Sequence, residues 1–247
     1  GVGRPRRNPR ATPHQNEGGC RCRVAAVSGT IALVGGGEWR EGCAFDAELL
    51  QAAGTREVVV LPTAAAYEHP ERMVEAAAKH FTGLGAEVRG LMVLRRPDAE
   101  DAANVEVVRK ARFVYLSGGS PMHLRSVLKA SALWDALLEV WQGGGVIAGS
   151  SAGAMVLTDP MVDTRGGAFT VGLGLIEQLA VIPHFDGWSE EKAHRTLDLA
   201  PRGLPVVGIH EQTALVREPD GNWRVAGLGT VDVYVDGRPA DLAALPA

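Results

Sequence analysis

From residue 30 onward the chain alternates short, nearly continuous apolar runs with stretches whose apolar residues recur at helical spacing. Thr30-Ile31-Ala32-Leu33-Val34 ends in Gly35-Gly36-Gly37, and Glu57-Val58-Val59-Val60-Leu61 is closed by Pro62. Residues 86–94, 113–116 and 145–148 give three more such runs. Apolar runs of this length suit parallel strands covered on both faces. Between them, Met73, Ala76, Ala77, Phe81 and Leu84 share one face of a helix over 70–84. Ser131 caps a helix over 131–142, whose buried stripe is Leu133, Trp134, Leu137, Leu138 and Trp141. Strand, helix, strand repeated in this way predicts right-handed crossovers and a doubly wound, mostly parallel α/β sheet with helices on both faces.

After Thr158 the pattern changes. A hairpin-like stretch passes through Gly166-Gly167, a strand over 179–182 leads into Pro183-His184, and a helix is expected over 189–199. The end reads as an antiparallel extension, with strands over 206–210, 213–217, 223–226 and 230–235 and turns at Asp220-Gly221 and Asp236-Gly237. No linker, second core or internal repeat interrupts this run. Residues 30–247 therefore read as a single domain, and residues 1–29 as a basic, disordered arm.

Composition narrows the class. A chain of 247 residues with 46% hydrophobic and 22% charged residues is ordinary globular material. No stretch approaches the roughly 18 to 20 continuous apolar residues of a membrane helix. Aromatics make up 5% and form no stripe with basic residues, so no membrane and no nucleic-acid partner is expected. The net charge of −4 hides six arginines against Glu17 within residues 1–23. That arm lacks the apolar segment of a secretory signal. Cys20, Cys22 and Cys43 fit neither a disulfide framework nor a four-ligand zinc spacing, so a cytoplasmic location without a metal is expected.

The sharpest chemical signal is Gly149-Ser150-Ser151-Ala152-Gly153, set between the fifth apolar run and an apolar helical stretch at 154–157. This is a G-x-S-x-G nucleophile elbow in strand–turn–helix context. Small neighbours let the backbone turn sharply enough to aim the central hydroxyl out of the sheet. The N–H groups that follow then face a reacting carbonyl at a helix N-terminus. The register makes Ser151 the nucleophile; the bland alternative is a Gly/Ser-rich turn with no chemistry.

A serine nucleophile needs a base, and the base needs an orienting acid. Of the seven histidines, His14 falls in the arm, His80 and His194 in helical patterns, and His69 and His123 near prolines. His184 follows a strand end, and His210 ends another strand in Gly208-Ile209-His210-Glu211. An α/β-hydrolase order, with the histidine last, would use His210 with Asp186 or Asp198 before it, but no HGGG-type loop is present. The other order is Ser151, His184, Glu211. The residue pattern leaves both open. Gly35-Gly36-Gly37 is not a G-x-G-x-x-G fingerprint, so no dinucleotide cofactor is expected. Glu38 and Asp46 either line the site or cap the next helix.

The ordered set 29–38 (GTIALVGGGE), 60–65 (VLPTAA), 116–119 (LSGG), 149–154 (GSSAGA), 183–185 (PHF) and 208–215 (GIHEQTAL) resembles the successive motifs of the dipeptidase E/cyanophycinase family of serine peptidases. The resemblance implies a flavodoxin-like sheet related to class I glutamine amidotransferases, with serine replacing their cysteine. It implies a Ser151–His184–Glu211 triad, an oxyanion hole from the N–H groups of Gly119 and Ala152, and acyl transfer from a small peptide without a cofactor. A monomer or homodimer would act. Two departures weigh against cleavage of the β-aspartyl-arginine polymer. Ser120-Pro121 follows the glycine pair, and Phe185-Asp186-Gly187-Trp188 follows the histidine, with no arginine before Arg195. Arg165 and Arg195 are candidates for holding a substrate carboxylate, and the substrate-binding group stays unassigned. The rival class is a non-catalytic amidotransferase-like binding or assembly domain. An ammonia-supplying glutaminase is disfavoured by the serine at the elbow and by the upstream position of Cys43.

Overall fold

The computed structural model describes residues 28–246. The expected arm lies outside the described residues apart from its last two, and so do His14, Cys20 and Cys22. Strands β1 (Thr30–Val34), β2 (Glu57–Leu61), β3 (Glu87–Gly90), β4 (Phe113–Leu116) and β5 (Val146–Ser150) run parallel in one sheet. Helices α1 (Phe45–Ala53), α2 (Pro70–Gly83), α3 (Arg96–Glu100), α4 (Ala102–Lys110), α5 (Pro121–Leu128) and α6 (Ala132–Gln142) fill the crossovers. Helix α7 (Ala152–Leu157) follows β5 directly.

Beyond it, β6 (Thr158–Asp159) pairs with β9 (Ile176–Glu177), and β7 (Met161–Val162) pairs with β8 (Phe169–Thr170) in the expected hairpin. Then come β10 (Ala180–Ile182), α8 (Glu190–Asp198), β11 (Val206–Ile209), β12 (Thr213–Arg217), β13 (Trp223–Gly227), β14 (Val231–Val235) and β15 (Arg238–Ala240).

The main sheet has the order β13-β12-β1-β5-β4-β2-β3. Its parallel part, read as β3-β2-β4-β5-β1, is the 2-1-3-4-5 order of a flavodoxin-like sheet with the first strand in fifth place. Alternate residues of each strand face opposite sides. Ala32, Val34, Val58, Val60 and Tyr115 pack against Phe45 and Leu49 of α1 and Phe81 of α2. Ile31, Leu33, Val59, Leu61 and Ile147 pack against Leu124, Leu133 and Val156 on the other side.

The C-terminal strands pair antiparallel as expected, β12 with β13 and β11 with β14, but they divide between two sheets. β12 and β13 extend the main sheet antiparallel to β1, whereas β10-β11-β14-β15 is a second sheet in which β10 and β11 are parallel. The reason is α8, which lies between β10 and β11; strands joined through a helix cross over and run the same way. The third apolar run also ends early, at Gly90. Val93 donates its N–H to the Leu91 carbonyl at 2.8 Å, and this tight turn takes both side chains off the edge and into the core. In α2, Ala77 and Phe81 are buried while Ala76 and Leu84 are exposed, because the helix covers the sheet near its edge.

Candidate active site

β5 carries the chain to Ser150 and α7 starts at Ala152, so the whole reversal falls on Ser151. Its φ of 49° and ψ of −107° lie where a non-glycine residue is strained, by about 1–3 kcal/mol. The strain is held by contacts that only glycines permit. A Cβ on Gly149 would lie 2.5 Å from the Gly153 backbone, and one on Gly153 would lie 2.4 Å from the Leu116 carbonyl oxygen. Ser151 N–H donates to the Val34 carbonyl at 2.9 Å, which ties the turn to β1.

His184 is the residue after Pro183, just past β10, and its N–H donates to the Gly35 carbonyl at 2.7 Å. Its ring lies against Gly36, where an added Cβ would sit 2.1 Å from the imidazole Cε1. The Gly36 carbonyl accepts the Gln212 N–H at 2.8 Å. One loop after β1 thus fixes both the His184 and the 211–212 backbone. The imidazole Nε2 is 2.9 Å from Ser151 Oγ, and Nδ1 is 2.8 Å from Glu211 Oε1. With Nδ1–H donating to the carboxylate, Nε2 is left as an acceptor for the serine proton.

The alternative residues lie elsewhere. Asp186 Oδ1 accepts the Glu211 N–H at 3.0 Å, so it holds the Glu211 backbone and does not take that residue's place beside His184. His210 Nε2 lies 3.2 Å from Thr230 Oγ1 and 3.4 Å from Asp232 Oδ2. Asp198 pairs with His194 on exposed α8, and His69 faces Glu71. His123 contacts the Leu94 carbonyl at 2.9 Å. His80 is not a half-exposed helix residue: its side chain is 13% exposed, with Nε2 3.0 Å from Asp46 Oδ2. Asp46 is fully buried away from the cleft, and burial raises its carboxyl above the ordinary value. The Cys43 thiol is buried, and burial pushes it up to about 11, so it supplies no thiolate near neutrality.

Gly119, on the loop after β4, lines the same cleft as Ser151, and Ala152 follows Ser151 at the start of α7. Among the described residues neither N–H has an acceptor, as is usual for the first N–H of a helix. Glu38 is the polar group that ties this region together. Its Oε1 accepts the Gly118 N–H at 3.1 Å, and its Oε2 accepts the Ser150 hydroxyl at 2.8 Å.

Ser151, His184 and Glu211 open onto a cleft of about 400 Å³ whose walls include Arg40, Glu68, Met73 and Ala76. Arg40 and Glu68 carry no sequence signal beyond their place in loops after β1 and β2. Arg165 and Arg195 do not border this cleft. Arg165 is held instead by Asp163, at 3.0 and 2.7 Å, and the guanidinium lowers that carboxyl to about 2.

The profile of Peptidase family S51 matches residues 31–222. A cyanophycinase of Synechococcus elongatus is 28% identical over 240 residues, covering 92% of this chain and 71% of the relative. Peptidase E of Salmonella arizonae is 25% identical over 189 residues, covering 70% and 74%. The crystal structure of a peptidase from an acI-B1 Actinobacterium superposes with a TM-score of 0.78 and 33% identity, over 87% of this chain and 94% of that one.

Proposed function

The chain belongs to Peptidase family S51 and is a serine-type peptidase, and from that premise we propose that it is an exopeptidase cleaving small peptides through Ser151, His184 and Glu211. The observation that carries this reading is the unbroken line from Ser151 Oγ through the His184 ring to Glu211, with links of 2.9 and 2.8 Å.

Ser151 Oγ attacks the scissile carbonyl while His184 Nε2 takes its proton. Glu211 accepts the Nδ1–H bond throughout and stabilises the imidazolium. The oxyanion that forms is held by the N–H groups of Ala152 and Gly119. The C–N bond then breaks as His184 returns the proton to the leaving amine, leaving an acyl-enzyme. Water, deprotonated by the same nitrogen, releases the acid and restores Ser151.

The cleft of about 400 Å³ has room for a short peptide, with charged groups beside Ser151. The relatives are named cyanophycinase and Peptidase E; Ser120-Pro121 after the glycine pair and Phe185-Asp186-Gly187-Trp188 after His184 weigh against the polymer as substrate. We take residues 30–247 as the acting unit.

Labelling with a fluorophosphonate tests the reading. Wild type should form a stoichiometric adduct on Ser151, and Ser151→Ala should form none. An unlabelled wild type, with a correctly folded spectrum, would return the chain to a binding role.

A further inference from the structure

We propose that Arg40 and Glu68 read the two free ends of a short peptide by charge, Arg40 receiving the carboxylate of the leaving residue and Glu68 the amino group of the acyl residue. This rests on the catalytic reading of Ser151 and deepens it.

Arg40 is the one Lys or Arg among the residues lining the cleft, and the carboxylates there are those of Glu38, Glu68 and Glu211. Glu38 is occupied by the Gly118 N–H and the Ser150 hydroxyl, and Glu211 by His184. Glu68 is exposed and has no side-chain partner among the described residues. Arg40 has only a loose contact, with Nη1 3.6 Å from Glu211 Oε2 and a side chain 64% exposed. An exposed pair of that length is worth little, so the guanidinium is free to take a better-matched carboxylate.

The two loops lie on opposite sides of Ser151 along the sheet edge: Arg40 follows β1 and Glu68 follows β2, with β5, which leads into Ser151, between them in the order β1-β5-β4-β2. Arg40 is beside Glu211, on the flank where His184 hands a proton to the leaving amine. Glu68 follows the turn Thr63–Ala65, and that turn carries the oxyanion loop: the Ala64 carbonyl accepts the Ser120 N–H at 2.8 Å. This is the acyl flank. A dipeptide bound with its carboxylate toward Arg40 and its ammonium toward Glu68 meets opposite charge at both ends. The reversed pose meets like charge at both. Charge alone therefore fixes the direction of the peptide bond across Ser151.

The test measures protection of Ser151 from fluorophosphonate by Ala-Leu and Asp-Leu, by their C-terminal amides and by their N-acetyl forms. In wild type the free dipeptides should protect at about tenfold lower concentration than either blocked form, the usual worth of a charge-assisted hydrogen bond. The acid-to-amide ratio should collapse toward one in Arg40→Met and return in part in Arg40→Lys. The free-to-acetylated ratio should collapse in Glu68→Gln alone. Ratios taken within one variant cancel any change in the reactivity of Ser151. Equal protection by free and amidated peptides in wild type overturns the role of Arg40, and equal protection by acetylated peptides overturns that of Glu68. A labelled enzyme that no peptide protects sinks the proposal while the nucleophile stands. An enzyme that takes no label removes the catalytic reading, and the reading of the two ends with it.

Discussion

Glu38 holds Ser150 and, through Gly118, the loop that carries Gly119. One carboxylate on the turn after β1 accepts the Ser150 hydroxyl at 2.8 Å and the Gly118 N–H at 3.1 Å. It thereby joins the residue before the strained serine to the residue before Gly119, the proposed oxyanion donor. Glu38→Ala should lower kcat/KM about tenfold to a hundredfold, less than removing an oxyanion donor outright, because the donor is loosened and not deleted. Glu38→Gln, which can keep one of the two bonds, should fall between. Steady-state kinetics with fluorophosphonate labelling rates would show this, and a loss confined to KM would refute it.

Glu211 is expected to matter through charge and direction more than through shape. Glu211→Gln keeps the side-chain volume, but its amide can present an N–H to Nδ1 and favour the wrong imidazole tautomer. By the precedent of other serine triads, kcat should drop about a thousandfold or more while the fold is kept. Full activity in that variant would mean that Asp186, which contacts the Glu211 N–H at 3.0 Å, can serve as the acid instead.

The elbow could be read from sequence because its geometry admits so few residues. Gly149 and Gly153 are demanded because an added Cβ would lie 2.5 and 2.4 Å from neighbouring backbone atoms, and such close approach leaves a mark at fixed spacing. His184 against His210, and Glu211 against Asp186, could be separated by motif but not by residue pattern, since each lies in a loop next to a strand end. The helix expected between β10 and β11 already implies their parallel pairing, but their place in a second sheet with β14 and β15 has no mark in the residue pattern. Arg40 and Glu68 were hidden for another reason. An exposed charge in a loop has no periodicity, and its meaning depends on which other loops reach the same cleft. The burial of Asp46 against His80 was missed because it joins two helices far apart in the chain.

Cys43 gives the protein an alkaline liability. Its thiol is raised from 9.0 to about 11 in the fold, chiefly by burial. The folded state therefore keeps this proton at a pH where the unfolded chain has released it. A raised folded value means that the contribution is fully present below about pH 9 and is lost as pH rises through about 11. Wild type should lose stability over that window, by up to about 2–3 kcal/mol from this group. Cys43→Ala should show a shallower decline in urea unfolding between those pH values. Parallel declines in the two proteins would rule the thiol out as the cause.

Gly36 offers a way to misplace the base without touching any reacting atom. An alanine there would put Cβ 2.1 Å from His184 Cε1, at a φ of 121° that already disfavours a side chain. The ring must move, and the His184–Ser151 distance of 2.9 Å leaves little room for it to move and still take the proton. A displacement near 1 Å can lower the rate about a hundredfold, so Gly36→Ala should lose at least that much in kcat and in the labelling rate of Ser151. The needed comparison is Gly54→Ala, at the end of α1, where φ is 62° and no atom lies within 4 Å of an added Cβ. That variant carries a similar backbone penalty of about 1–2 kcal/mol without approaching the cleft. It should unfold at lower urea and keep its kcat. If both variants lose stability equally and Gly36→Ala keeps its rate, the ring is free to shift without consequence, and the tight seat of His184 is not what sets the reaction.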